Sequence, residues 1–129
     1  GKAIFTQPPM PIKCAGAPQK ALYLAADYWR EQGCLNAIDI QFRNAGAVLF
    51  GVADFVPVLN SYVEKYGAKL EFNSNLIHVD GPNKIATFKV TDSEGNVTEV
   101  EETFDYLHAV PPQTSPDFIK NSPLSNEPL

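Results

Sequence analysis

The stretch "KAIFTQPPMPIKCAGAPQK", Lys2 to Lys20, decides the fold, because it joins a buried strand to a helix. Its first six residues, "KAIFTQ", have the composition of a short strand inside a sheet. Pro18 suits the first turn of the helix that follows. In a nucleotide-binding βαβ unit, the loop between these elements carries glycines that cradle a pyrophosphate. Here the loop carries Cys14 between two lysines, so its chemistry must be different.

Helix and strand patterns alternate along the rest of the first half of the chain. Apolar residues at helical spacing continue up to Gly33, and the alternation from Ile38 to Phe42 indicates a second strand. Spacings of three and four from Phe55 to Tyr66 predict a second helix, which Asp54 can cap and Gly67 ends. Five strand patterns follow: "KLEFN", "NLIHVD", "KIATFKVT", "VTEVEE" and "FDYLHAV".

This order predicts an α/β fold: a βαβαβ parallel sheet with an antiparallel β-meander, as in FAD/NAD(P)-binding domains. The turn "DSEGN", Asp92 to Asn96, joins two strands of the meander as a hairpin. The prolines from Pro111 to Pro123 argue against regular structure there. We therefore expect residues 1–110 to form a dinucleotide-binding-like domain and residues 111–129 to form a proline-rich connector or tail.

Composition excludes several classes of protein. A chain of 129 residues, 44% of them hydrophobic, fits one globular domain. The net charge of -5 argues against a nucleic-acid partner, and the acidic residues from Asp92 to Asp105 fit an exposed hairpin. No apolar run can span a bilayer and no signal-peptide pattern is present, so we expect the chain itself to be soluble. No spacing of His, Cys, Asp or Glu indicates a metal site.

The ends of the chain fit a piece of a larger protein. The chain begins at Gly1 rather than Met and ends in the polar, proline-bearing stretch "NSPLSNEPL". A processed chain or a tagged protein would have similar ends. A piece of a larger protein carries only part of an active site.

Two features argue against a nicotinamide nucleotide at the first strand–helix loop. The fingerprint G-x-G-x-x-G is absent, since the loop contains only Gly16. An acidic residue for the ribose would lie near the end of the second strand, where Phe42 to Gly46, "FRNAG", has no carboxylate. NAD binding is therefore disfavoured.

Cys14 is the candidate for chemistry. A helix N-terminus has unpaired N–H groups and partial positive charge, which favour a thiolate over a thiol. Lys13 and Lys20 would add to this field, and the thiolate is the reactive form. We favour a reactive role over that of an ordinary half-buried cysteine, because Cys14 lies where open α/β sheets bind their ligands.

The other chemistry-bearing residues have plainer interpretations. Cys34 follows the first helix, which is about 22 Å long, so it cannot form a disulfide with Cys14 at the other end. We interpret Cys34 as a bystander at the negative end of that helix. His78 in an apolar strand is a packed or surface residue. His108 could face a cofactor, but a packed histidine is the favoured interpretation.

Four blocks of the sequence resemble sulfide:quinone oxidoreductases, especially the branch that includes the mitochondrial enzymes. They are "PIKCAGAPQK" at Pro11 to Lys20, "FGV" at Phe50 to Val52, "NLIHV" at Asn75 to Val79 and "LHAVPPQTSPDFIKNSPL" at Leu107 to Leu124. The resemblance runs in order from about Ala3 to Leu124. The cysteine loop is its most specific part.

The resemblance implies a flavoprotein with two dinucleotide-type domains, bound peripherally to a membrane. Such enzymes oxidise sulfide with a pair of redox cysteines, pass two electrons to FAD and reduce a membrane quinone. The sulfur leaves as a persulfide or polysulfide. Cys14 matches one redox cysteine, whereas Cys34 matches none. The second redox cysteine, the FAD fingerprint and the quinone-binding segments of the family have no counterpart in this chain, which resembles the middle, NAD-domain-like portion.

We therefore expect a fragment that alone binds neither FAD nor a metal and is inactive. Cys14 would be catalytic in the parent, with its thiolate stabilised by Lys13, Lys20 and the helix N-terminus. The connector would pack against the flavin domain, and exposed apolar surface would favour self-association of the fragment. Two alternatives stay open: the middle domain of a related NADH-dependent flavoprotein reductase, and a stand-alone thiol-containing binding domain.

Overall fold

The computed structural model describes residues 1–125 of the chain. Residues 126–129, the end of the expected connector or tail, lie outside the described residues. Its elements are β1 (Lys2–Gln7), α1 (Ala17–Glu31), β2 (Asp39–Asn44), α2 (Val56–Lys65), β3 (Lys69–Glu71), β4 (Ser74–Asp80), β5 (Ile85–Thr91), β6 (Val97–Thr103), β7 (Tyr106–His108) and α3 (Asp117–Lys120). Single 3₁₀ turns, Leu35–Ala37 and Ala53–Phe55, precede β2 and α2.

The strands form the two sheets that the sequence predicts. One sheet has the order β3-β2-β1-β7 with every pair parallel, and the other has the order β4-β5-β6 with both pairs antiparallel. In the parallel sheet, Gln7 pairs with Asn44 on one side and Phe5 pairs with His108 on the other. The expected α/β fold with an antiparallel meander is confirmed.

The parallel sheet lies between the helices and the meander. From β1, Phe5 packs with Leu22 of α1 and Val63 of α2, whereas the adjacent Ile4 packs with Phe88 of the meander. This alternation follows from the two-residue period of a strand. Ala3 and Phe5 of β1 therefore face the helices, and Ile4 between them faces the meander.

The helices end as the sequence predicts, at glycines with left-handed backbone. Gly33 after α1 has a φ of 71°, and Gly67 after α2 has a φ of 65°. Such values favour glycine because it has no Cβ. Among residues 1–125, no helix is both long and apolar enough to cross a membrane.

The start and the apolar face of α2 differ from the prediction. Asp54 lies within the preceding 3₁₀ turn, and no side chain caps α2, so the predicted cap is wrong. Of the predicted face, Val63 and Tyr66 are buried, but Phe55 and Val58 are more than half exposed. The helical period identified one continuous stripe, but the sheet covers only part of it.

The proline-rich segment also contains a short helix, α3, which we had not predicted. Pro116 lies immediately before it as the N-cap residue, a place where proline is compatible with a helix because no intrahelical N–H is needed there. The prolines therefore bound this helix rather than prevent it.

Glu102 is an exception to the predicted solvent-exposed acidic hairpin. The turn itself is confirmed, with Gly95 at a φ of 87° and the Asp92 N–H donating to the Asn96 carbonyl. However, Glu102 accepts a hydrogen bond from Arg43 of β2 at 2.6 Å and one from Lys2 of β1 at 2.8 Å. This carboxylate therefore joins the meander to the parallel sheet.

Candidate functional site

The site lies at the topological switch point of the parallel sheet. From β1 the chain crosses to β2 on one side, and β7 joins β1 on the other side. Open α/β sheets bind ligands at such a point, outside the carboxyl ends of the strands. Here these ends are Gln7 in β1 and His108 in β7, and residues 8–16 form the loop between β1 and α1.

Cys14 lies in this loop and its side chain is exposed. Helix α1 begins three residues later at Ala17, whose N–H donates to the Cys14 carbonyl at 3.2 Å. No side chain caps the helix, and Pro18 occupies its first turn. Cys14 therefore lies just before a helix N-terminus, as the sequence predicts.

Cys14 lines a cleft of about 330 Å³ at the switch point. The cleft is also lined by Lys13, by Ala17 and Pro18 of α1, by Val110, and by Gln113 of the connector. Lys13 donates its backbone N–H to Gln113 Oε1 at 2.7 Å, which joins the cysteine loop to the connector. Lys20 is exposed on α1 and does not line this cleft. Of the two predicted lysines, only Lys13 shares it with Cys14.

His108 lines the same cleft, which the sequence did not predict. Its ring lies 5.8 Å from that of Phe5, and its Nδ1 is buried without a hydrogen-bond partner. Thr6 Oγ1 holds this end of β7, since it donates to the His108 carbonyl at 3.3 Å and accepts the Val110 N–H at 3.0 Å. The sequence separates Cys14 and His108 by 94 positions, so only the pairing of β7 with β1 brings them together.

A second cleft, of about 310 Å³, lies between the switch point and β4. It is lined by Gln7, Pro8, His78 and residues 109–112, among others. Gln7 is 7% exposed, and its Oε1 has no hydrogen-bond partner. His78 is an exposed residue, in agreement with its surface interpretation.

The residues at the switch point do not fit a dinucleotide. Gly16 is the only glycine of the loop, and a Cβ there would meet only the Phe50 ring at 3.8 Å, so its lack of a side chain opens no cradle. At the end of β2, Asn44 Nδ2 donates to the Val48 carbonyl and its Oδ1 accepts the Gly46 N–H. This amide is used within its own turn. This loop therefore lacks the glycine cradle of a dinucleotide-binding site.

Cys34 lies apart from the cleft. Both cysteines are free, and Cys34 Sγ contacts the Trp29 carbonyl at 3.6 Å, at the far end of α1. The expectation that the two thiols do not pair is confirmed. Within residues 1–125, no three or more His, Cys, Asp or Glu side chains form a group that could hold a metal ion.

Curated relatives match nearly the whole chain, although no protein-family model matches it. The mitochondrial sulfide:quinone oxidoreductase of Dictyostelium discoideum is 39% identical over 124 residues, which are 96% of this chain and 26% of that protein. The Mus musculus protein of the same name is 34% identical over 126 residues, 98% of this chain and 28% of that protein. The chain therefore spans about a quarter of the length of the curated relatives it matches.

Solved structures share the fold at low sequence identity. The sulfide:quinone oxidoreductase of Aquifex aeolicus has a TM-score of 0.61 and 13% identity, over 83% of this chain and 25% of that one. A chain of the Tetrahymena thermophila mitochondrial ATP synthase assembly has a TM-score of 0.69 and 18% identity, over 97% and 30%. A pyridine nucleotide-disulfide family oxidoreductase of Enterococcus faecalis has a TM-score of 0.54 and 12% identity, over 82% and 21%.

The structural likenesses support the dinucleotide-binding-like fold, and the curated relatives carry the family. Over nearly its whole length, this chain is a homologue of one segment of the sulfide:quinone oxidoreductases, as its sequence indicates.

Proposed function

We propose that this chain is the middle segment of a sulfide:quinone oxidoreductase and that Cys14 is one of its two redox cysteines. The parent would oxidise sulfide with FAD and pass the electrons to a quinone at a membrane, to which it binds peripherally. One observation carries the proposal: the loop "KCAGAP" places an exposed thiol in the cleft at the switch point. The relatives, 34–39% identical, support this family rather than another with the same fold.

The position of Cys14 suits a thiol that reacts with a small soluble molecule. Its side chain is exposed, and the cleft of about 330 Å³ has room for a species as small as hydrosulfide. Lys13 in the same cleft contributes positive charge, which stabilises both a thiolate and an approaching anion. None of the residues that line the cleft has a carboxylate to oppose that charge.

In the proposed reaction, Cys14 begins in a disulfide with a second cysteine outside this chain. Hydrosulfide attacks the second cysteine, where a persulfide forms, and the sulfur–sulfur bond breaks so that Cys14 leaves as a thiolate with the electron pair. Lys13 and the N-terminal end of α1 stabilise this thiolate. FAD and the quinone, which receive the electrons in the family, are assigned to parts of the parent outside this chain.

The test uses the full-length protein and follows sulfide-dependent quinone reduction. With Cys14→Ala we expect the rate to fall by about 100-fold or more, because no other group of this chain replaces the thiolate. FAD absorbance is measured in the same preparation and should be unchanged. Cys34→Ala is the matched control, since it removes another exposed thiol, outside the cleft, and should keep the wild-type rate.

Other results would favour the alternatives. If Cys14→Ala keeps its flavin and full activity, Cys14 is part of the scaffold only. Turnover of NADH by the full-length protein, without a response to sulfide, would favour a related NADH-dependent reductase. Stoichiometric FAD binding by residues 1–129 alone would contradict our assignment of the flavin to other parts of the parent. A stable monomer of this chain that reacts with thiol ligands would favour a stand-alone domain.

A further inference from the structure

We propose that Gln113 of the connector is a positioning residue for Cys14: its side-chain amide holds the cysteine loop in the position from which Cys14 forms its disulfide. The inference rests on the reactive Cys14 of the proposed function. Gln113 acts on Cys14 through the backbone of the adjacent Lys13, so it is a positioning residue rather than a catalytic one.

The hydrogen bond between the cysteine loop and the connector lies immediately before Cys14. The Lys13 N–H donates to Gln113 Oε1 at 2.7 Å, across 100 positions of the sequence. On the other side of the cysteine, the Cys14 carbonyl accepts the Ala17 N–H of α1 at 3.2 Å. The connector and α1 therefore hold the main chain around Cys14 from two sides. Cys14, Lys13 and Gln113 also line the same cleft.

The part of the loop before Cys14 has few other groups that could hold it in place. Three of the six residues 8–13 are prolines, which have no backbone N–H to donate. Among residues 1–125, the structure gives residues 8–13 one hydrogen bond, which is the one from Lys13 to Gln113. Met10 is 62% exposed and Lys13 is exposed as well, so packing at these positions is slight. Loss of the Gln113 acceptor would therefore free the loop up to Cys14.

Gln113 suits this role because the chain that carries it is fixed on β1. Thr6 of β1 is buried, and its Oγ1 accepts the Val110 N–H at 3.0 Å. Only two residues separate Val110 from Gln113, and both are prolines, whose rings fix their φ angles. The side chain that accepts the Lys13 N–H therefore extends from a backbone with little conformational freedom.

The hydrogen bond to Gln113 is present in the chain while Cys14 is a free thiol. A disulfide can close only when the loop is ordered, and order that exists beforehand reduces the entropic cost of closure. Gln113 therefore raises the effective concentration of Cys14 at its partner sulfur and favours the disulfide over the reduced pair. A residue that only stabilised the fold would leave this equilibrium unchanged.

The test measures the thiol–disulfide equilibrium of Cys14 in the full-length protein, in mixtures of reduced and oxidised dithiothreitol near neutral pH. In this exchange the bond between Cys14 Sγ and its partner sulfur breaks, both sulfurs become thiols with protons from dithiothreitol, and dithiothreitol is oxidised to its cyclic disulfide. Free and disulfide-bonded Cys14 are quantified by mass spectrometry after labelling with N-ethylmaleimide. In Gln113→Leu we expect a shift toward the reduced pair of about fivefold, because one hydrogen bond that orders the loop is lost.

Two further variants distinguish positioning from a general loss of stability. Gln113→Glu keeps an oxygen acceptor on a side chain of the same length and should restore the equilibrium to within about twofold of the wild type. Gln32→Leu makes the same change at an exposed glutamine beyond the far end of α1 and should have no effect. Hydrogen exchange of the Lys13 amide should be faster in Gln113→Leu and as slow as in the wild type in Gln113→Glu.

An unchanged equilibrium in Gln113→Leu, or an equal shift in Gln113→Glu, would overturn the proposal. Failure of the proposed function would look different, because Cys14 would then form no disulfide in the wild-type protein. That result would overturn the proposed function and this inference with it. The measurement requires neither sulfide nor a quinone, so a loss of turnover for another reason does not affect it.

Discussion

The ion pair between Arg43 and Glu102 is largely buried, so its removal should lower the free energy of unfolding more than the removal of a surface ion pair would. The side chains of Arg43 and Glu102 are 7% and 19% exposed, and Arg43 Nη2 lies 2.6 Å from Glu102 Oε1. Lys2 Nζ reaches the other carboxylate oxygen at 2.8 Å. Arg43 also donates to Gln41 and Ser74, and its guanidinium lies 4.6 Å from the centre of the Phe88 ring. The pair therefore anchors the meander on the parallel sheet.

We expect Glu102→Gln to lower the free energy of unfolding by about 2–3 kcal/mol. Removing one partner of a fully buried pair costs about 3–5 kcal/mol, and removing an exposed pair costs about 0–1 kcal/mol. Glu102 lies near the buried limit but keeps some solvent contact, and Arg43 keeps its hydrogen bonds to Gln41 and Ser74. Glutamine also retains an oxygen that can accept one of the lost hydrogen bonds. These three facts place the expected loss just below the buried range.

The assay is urea unfolding of the 129-residue chain, followed by far-ultraviolet circular dichroism. Glu101→Gln is the matched control, because Glu101 is adjacent on β6, is exposed and makes no ion pair with the described residues. It should change stability by less than about 0.5 kcal/mol. Raising the salt concentration should leave the difference between the two variants nearly intact, since buried pairs are weakly screened. If both variants unfold at the same urea concentration, the link contributes nothing and our reasoning is wrong.

Two further predictions concern acid pH and the exposed apolar surface. The Arg30 guanidinium and the Tyr66 hydroxyl both donate hydrogen bonds to Asp27, and they lower the pKa of its carboxyl below the usual 3.8. The ionised Asp27 therefore stabilises the fold above pH 3.8, and this contribution is lost as the pH falls through the lowered pKa. The gap in urea midpoint between wild type and Asp27→Asn should therefore narrow from pH 5 to pH 2, and a constant gap would contradict this. Phe55 and Val58 are more than half exposed near an apolar cleft. The double variant Phe55→Asp, Val58→Asp should therefore self-associate less than the wild type in sedimentation velocity. Equal sedimentation of the wild type and the double variant would contradict this.

The sequence was sufficient for the fold because its signals are local. Strand and helix periods, together with the stops at Gly33 and Gly67, predict the elements. The right-handed crossover rule then orders the parallel strands. Asp54 shows the limit of this reasoning, since a residue of the right type stands one position before the N-cap residue Phe55 and its side chain makes no cap. The exposure of the apolar residues of α2 could not be predicted either. Helical spacing identifies the apolar face of a helix but not how much of that face a neighbouring element covers.

Only half of the site could be predicted in the same way. The position of Cys14 could be predicted because the loop, the cysteine and the start of the helix are adjacent in the sequence. His108 and Gln113 join it through the pairing of β7 with β1 and the return of the connector, which depend on contacts about 100 positions apart. The link between Glu102 and Arg43 was missed for the same reason. A charge pattern on one strand does not reveal the opposite charge that meets it from another sheet.

The missing glycine cradle and the position of Cys14 before α1 have a common structural cause. A dinucleotide-binding loop leaves β1 in a tight glycine turn and leaves its helix N–H groups free for phosphate. Here nine residues separate β1 from α1, and Pro18 removes one N–H from the first turn. The longer loop carries Cys14 into the cleft that it shares with His108 at the end of β7. The partial positive charge of the helix N-terminus remains there, and in the proposed function it faces Cys14 rather than a phosphate.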